Sequence, residues 1–220
     1  MKNATLFLLL CFSVAKGLCQ ENKATVVPDT FSIAGLPHTW MLIDTASRFE
    51  ITGDHSFILA AAKGTDLHYP ASGAFRRHNA PKAVFRPAAD FEFSAKLAPS
   101  FQSRYNGGAV LLYSDSTQWA KMLFQYTGEK CIVGMSVVEK SLTDDSYYNV
   151  SDTTSIYMRV KKAGAVCSFY LSSDGISWSL TRQFIYAKPG SMQVGFYVQS
   201  PLGPECAVVF SEISYKELEP

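Results

Sequence analysis

Three small groups of residues hold the side chains from which this chain could build a site. The first is Asp66-Leu67-His68. Alternate residues of an extended backbone point the same way, so the carboxylate could orient the imidazole or help hold a cation. The competing reading is a turn-capping Asp66 and a solvated loop histidine. The second is Trp119-x-Lys121-x-Leu123-x-Gln125, which alternation places on one face, with Met122, Phe124 and Tyr126 on the other. Met, Phe and Tyr read as core, which leaves an indole, an ammonium and an amide on the opposite surface. That set suits a sugar, whose CH groups stack on a ring and whose hydroxyls take hydrogen bonds. Ordinary packing of Trp119 under a loop is the alternative. The third is Tyr147-Tyr148: neighbouring strand residues face opposite ways, so one ring points out, and Tyr148 is the candidate for stacking.

These residues must be held by strands. Ser172-Ser173-Asp174-Gly175-Ile176-Ser177 joins two runs of alternating character, and an Asp-Gly step in that setting signals a hairpin because both residues tolerate positive φ. The pattern recurs. Strand-like runs cover 31–43, 49–59, 83–97, 108–114, 118–126, 131–139, 147–150, 155–161, 166–171, 178–184, 192–199 and 206–216, with a turn-rich stretch at 64–82 and Asp144-Asp145 in a loop. Ala60-Ala61-Ala62 is locally helix-friendly, but Phe57-Ile58-Leu59 before it and Gly64 after it favour a strand followed by a loop. No amphipathic helix of several turns appears. So many short, twisted strands predict an all-β protein, a two-sheet antiparallel β-sandwich or jelly roll, rather than one open sheet.

Met1-Lys2, the apolar run 6–14 and Gly17-Leu18-Cys19 read as a secretory signal peptide, with an uncleaved anchor as the lesser alternative. The run is too short to span a bilayer, which takes roughly 20 apolar residues. Cys19 as a lipidation site lacks the small residue usually found before it. Residues 20–220 would then form one exported, periplasmic or secreted β-sandwich domain with its core at about 31–216 and no transmembrane segment. At 47% hydrophobic the chain can bury a real core. Removal of Lys2 and Lys16 leaves 18 basic against 19 acidic residues. Nothing there selects nucleic acid or an anionic membrane, which need clustered Lys and Arg. Cys131, Cys167 and Cys206 lie in strand-like runs with no CxxC or paired histidines, so a metal site is disfavoured. Alternation turns Cys167 and Cys206 inward, as buried thiols in preference to a disulfide. Asn149-Val150-Ser151 is a glycosylation sequon that matters only in a eukaryotic secretory pathway.

The order Gly64-Thr65-Asp66-Leu67-His68, Asn106-Gly107-Gly108-Ala109-Val110-Leu111-Leu112-Tyr113, Trp119-Ala120-Lys121, Tyr157-Met158-Arg159-Val160, Ser172 to Trp178 and Val194-Gly195-Phe196-Tyr197 resembles the "regulation of enolase" family over roughly residues 31–216. The resemblance implies the concanavalin A-like lectin and glucanase jelly roll, in a family of unknown biochemical role similar to accessory domains of some glycosidases. That family has W-x-K-x-G-x-E where this chain has Leu123 and Gln125, so the family's acid is missing from this strand. Hydrolases of the superfamily carry an E-x-D-x-x-E run, since retaining hydrolysis sets two carboxylates about 5 Å apart. No such run occurs, and Glu92 stands alone between Phe91 and Phe93. G-x-S-x-G and H-E-x-x-H are also missing. The S-x-D-G-x-x-W turn ending at Trp178 reads as structural. The function expected is therefore non-catalytic binding of a polysaccharide or other glycan through Asp66, His68, Trp119, Lys121, Gln125 and Tyr148. No cofactor is expected beyond a structural calcium ion that is left open. A protein-interaction or structural sandwich is the alternative, and a glycan-active hydrolase the third.

Overall fold

The computed structural model describes residues 28–139, 142–150 and 153–219. The proposed leader and Ser151 of the sequon lie outside them. In chain order the strands are β1 (Thr30–Phe31), β2 (Trp40–Ile43), β3 (Arg48–Gly53), β4 (Ser56–Ala62), β5 (Leu67–His68), β6 (Arg77–His78), β7 (Lys82–Phe85), β8 (Phe91–Pro99) and β9 (Gly107–Asp115). They continue as β10 (Gln118–Tyr126), β11 (Cys131–Glu139), β12 (Leu142–Asn149), β13 (Ile156–Ala163), β14 (Val166–Ser172), β15 (Ser179–Ile185), β16 (Gln193–Gln199) and β17 (Glu205–Glu217). Among the described residues a single 3-10 turn spans Pro189–Ser191. No helix among the described residues is long and apolar enough to cross a membrane.

Two antiparallel sheets face each other. The first runs β1-β2-β7-β16-β9-β10-β11-β12, the second β15-β14-β13-β8-β17-β4-β3, and β5 and β6 pair as a separate ribbon. Alternation explains the faces: β8 reads Phe-Glu-Phe-Ser-Ala-Lys-Leu-Ala-Pro and alternates buried with half-buried residues along its length. The inward set meets as a chain of aromatic rings. Phe196 of the first sheet stacks on Phe210 of the second with centroids 4.3 Å apart, and contacts Phe93 at 5.0 Å. Trp40 lies 4.5 Å from Phe85 beside them. Close approach of strands needs glycine at Gly195, where a Cβ would lie 2.1 Å from the Ala83 carbonyl oxygen.

Tertiary pairing moves several boundaries. The run 31–43 splits into β1 and β2 because Gly35 and His38 take left-handed φ of 80° and 78°. The run 83–97 divides at Pro87 into β7 of one sheet and β8 of the other. β4 continues through the alanines to Ala62, because small side chains fit where β17 pairs alongside. The stretch 64–82 contains the ribbon β5–β6. Asp144 and Asp145 are not in a loop: they are strand residues of β12, paired with Val137 and Ser136 of β11. Arg182 holds Asp144 there, donating to its carboxylate at 2.7 Å and to its carbonyl at 3.2 Å from the facing sheet. Between β14 and β15 only Gly175 has positive φ, because the Asp174 carboxylate collects the Ile176 and Ser177 N–H groups at 2.8 Å each and makes a longer loop than a two-residue primed turn.

Cys167 and Cys206 are fully buried thiols, not joined to each other. Burial pushes both up to about 12. Neither should react with a soluble disulfide reagent at pH 8 until guanidinium unfolds the chain, as read by mass-spectrometric mapping of the labelled thiols. Labelling of either in the folded protein would contradict the packing.

Candidate functional site

β10 breaks the alternating rule. Its residues are buried from Gln118 to Gln125 without interruption, so both of its faces are covered. The inner face carries Met122 and Phe124 into the sandwich core. The outer face is covered by residues 63–81, which leave β4, cross the first sheet and return into β7. Gly64 turns the chain with φ +84°, and its N–H donates to the Ser200 carbonyl at 2.9 Å. The Thr65 hydroxyl donates to the Ala62 carbonyl at 2.7 Å and accepts from the Ser200 N–H at 3.0 Å. Further along, the Tyr69 carbonyl accepts the N–H and hydroxyl of Thr143 at 2.8 and 2.9 Å. Beneath this strap lies a second apolar cluster containing Leu67, Tyr69, Leu111, Trp119 and Tyr197.

Trp119 is therefore not an exposed stacking platform. It is 0% exposed and meets Tyr69 edge to face at 5.6 Å. The alternation that turned it away from the inner core was right, but the strap makes that side interior too. Lys121, two residues on, is 3% exposed and donates to the Leu67 carbonyl at 2.5 Å. Its ammonium lies 5.3 Å from the ring centres of both Trp119 and Tyr197. Burial lowers Lys121 to about 8, against an opposing pull from Asp66 and Asp145.

Beside the strap, a cavity of about 440 Å³ remains over β10, β11 and β12. That lies within the range of small-molecule sites, about 300–1,000 Å³. Asp66, His68, Lys121 and Gln125 all line it. The Asp66 carboxylate accepts its neighbour Leu67 N–H at 2.8 Å. His68 is held below the usual histidine range, chiefly by burial and then by Lys121. The Gln125 carboxamide has no hydrogen-bond partner among the described residues. Among the described residues no three His, Cys, Asp or Glu side chains gather to hold a metal ion.

Tyr148 does not reach the cavity. It pairs with Val133, a core residue, and so faces the other way, whereas Tyr147 pairs with Gly134 and lines the cavity with an exposed ring. Asp145 is the second addition. Its Oδ1 accepts the Ser136 hydroxyl at 2.5 Å, and its Oδ2 lies 3.1 Å from the Thr143 hydroxyl, whose one proton also faces the Tyr69 carbonyl at 2.9 Å. Tyr105 and Gln199 complete the polar wall: Gln199 accepts the Tyr197 hydroxyl at 2.7 Å and donates to the Tyr105 carbonyl at 2.8 Å. The signal for Asp145 and Tyr147 was the alternation Thr143-x-Asp145-x-Tyr147. Asp66 and Asp145 thus share one cavity, while Glu92 is paired with Arg159 at 3.3 Å on the second sheet.

The architecture and its walled cavity define an antiparallel, concanavalin A-like β-sandwich with a strapped outer face. Residues 42–218 match a family described as a protein of unknown function (DUF1349), and the chain belongs to that family. The description does not mention enolase, so the resemblance drawn from sequence narrows to the fold. No curated protein matches the sequence. Among solved structures, a functionally unknown protein from Saccharomyces cerevisiae superposes with TM-score 0.75 and 17% identity, over 82% of this chain and 97% of that one. The GH43 protein BlXynB from Bacillus licheniformis gives TM-score 0.67 and 15% identity over 81% of this chain, which spans only 37% of that protein. The carbohydrate-binding module CBM66 from Bacillus subtilis gives 0.52 and 13%, over 81% of this chain and 95% of that one. At these identities the likeness is one of fold.

Two outcomes test this packing. Trp119→Ala should cost about 3–5 kcal/mol of stability in denaturant titration, as a buried aromatic does and a surface ring does not. Lys121 titrates lower in the folded chain than in the unfolded one, so between pH 8 and roughly 10.5 the unfolded chain binds more proton. Stability should therefore rise with pH in that window relative to Lys121→Met; parallel profiles of the two proteins would show that the ammonium is not buried.

Proposed function

We propose that this chain is a carbohydrate-binding module without catalytic activity of its own, acting outside the cytoplasm after export. The observation that supports it is the cavity over β10, β11 and β12, where an exposed Tyr147 ring stands beside the unpartnered Gln125 amide and the buried Lys121 ammonium. A ring for CH stacking next to fixed donors and acceptors is what a sugar's two kinds of surface require. The likeness of fold to a carbohydrate-binding module and to part of a GH43 protein agrees with this reading. Asp66 and Asp145 leave room for hydrolysis, but the Asp145 Oδ1 already accepts the Ser136 hydroxyl. A protein-docking role has its own supporting feature: edge strand β15 exposes Leu180 and Ile185.

Calorimetric titration with a panel of soluble polysaccharides and their oligosaccharides tests it. Binding to one class is expected, weakened about tenfold by Tyr147→Ala and by Gln125→Ala, unchanged by Tyr148→Ala, and accompanied by no release of reducing ends. Silence from a well-folded protein would move the assignment to the docking role, and turnover abolished by Asp145→Asn would move it to a hydrolase.

A further inference from the structure

Resting on the glycan-binding reading, we infer that the cavity takes the neutral end residue of a glycan chain. Its ring lies over Gly134 against Tyr147, and its adjacent hydroxyls meet the row Lys121, Ser136 and Asp145.

The register across β10, β11 and β12 sets two parallel rows on the outer face. Lys121 pairs with Ser136, which pairs with Asp145; Leu123 pairs with Gly134, which pairs with Tyr147. Strands about 4.8 Å apart make each row roughly 10 Å wide, and two residues along the strand separate the rows by roughly 7 Å. One row is polar, the other apolar, at the scale of one sugar ring with its hydroxyl edge.

The polar row has capacity to spare. Lys121 has three N–H donors and, among the described residues, one hydrogen bond, to the Leu67 carbonyl. Ser136 spends its proton on Asp145, so its own lone pairs are open; the Asp145 Oδ1 accepts that one hydroxyl and can accept a second bond, and its Oδ2 shares the Thr143 proton with the Tyr69 carbonyl and keeps acceptor capacity. The row thus offers donor, acceptor and acceptor, and a pair of adjacent hydroxyls can both give and take. In the apolar row Gly134 brings no side chain of its own. A Cβ there would lie 3.4 Å from both the Gln125 amide nitrogen and a Tyr147 ring carbon, so those two groups bound the space a side chain would otherwise fill.

Charge and walls select the ligand further. Lys121 and Arg77 face Asp66 and Asp145 in the lining, a balanced set that gives no net attraction to a carboxylate, and a uronate over this row would meet Asp145. The strap covers the sheet on the β9 side and, through Tyr69 on Thr143, beside the Lys121 end, while Tyr105 and Leu202 line the cavity at the Gln125 end. Beyond β12 the sheet ends, and from that edge the proposed chain enters with its end residue innermost.

A glycan array carrying the same neutral residues at chain ends and at internal positions, with uronate-terminated chains beside them, tests this. Signal should follow the terminal residue and ignore what precedes it. Gly134→Val, whose new Cβ makes only ordinary contacts, and Asp145→Asn should each lower affinity about tenfold or more while melting as the wild type does. Binding to internal segments or to uronate ends, or wild-type affinity in both variants, would overturn this inference and leave glycan binding standing. Silence across the whole array from folded protein would overturn both.

Discussion

Residues 63–81 lie flat on the outer face of the eight-stranded sheet, and the hydrogen bonds that hold them there decide what the rest of that face can be. Thr65 and Gly64 tie one end to Ser200, and Tyr69 is tied to Thr143 at the other. The strap turns a surface into an interior, so Trp119, Tyr197 and Leu111 become a second core. Apolar burial of that extent is a large stabilising contribution, and it fixes the strap as firmly as the strap covers it. The cavity lies beside this cover, over the part of β10, β11 and β12 that it leaves open.

Two buried lysines on this face show how environment divides similar side chains between roles. Lys82 donates to the His78 and Ala80 carbonyls and pairs with Asp44, so its donors are spent on protein groups that anchor the return of the strap. Lys121 has one carbonyl and two aromatic rings around it, with Asp66 and Asp145 further off. A buried charge left with unused donors costs free energy that a fully paired one recovers. A ligand hydroxyl that accepts from Lys121 would remove part of that cost.

The sandwich and the site are separable in a physical sense. Phe196, Phe210, Phe93 and Trp40 hold the sheets together from the inner face, whereas the cavity uses the outer face of β10, β11 and β12. Strand alternation keeps the two sets of residues independent, since a change on one face leaves the other pointing as before. Solved structures at 13–17% identity share the fold, and a fold by itself does not fix what the outer face binds.

Period-two alternation is local, so the sequence by itself determined the all-β class, the inward Met122 and Phe124, the buried Cys167 and Cys206, and the shared face of Lys121 and Gln125. It also placed Asp66 and His68 on one side of an extended segment, and both do face the cavity. What lay beyond reach was everything that depends on which segment covers which. Trp119 and Tyr147 both carry rings on the outer face, yet one is sealed by the strap and the other lies past its end. Asp144-Asp145 has loop-like composition, and only pairing with β11 and the grip of Arg182 from the facing sheet make it strand. Tertiary structure decided these because burial and strand pairing are set by contacts between residues distant in the chain, such as Thr65 with Ser200 and Tyr69 with Thr143, and local pattern carries no information about them.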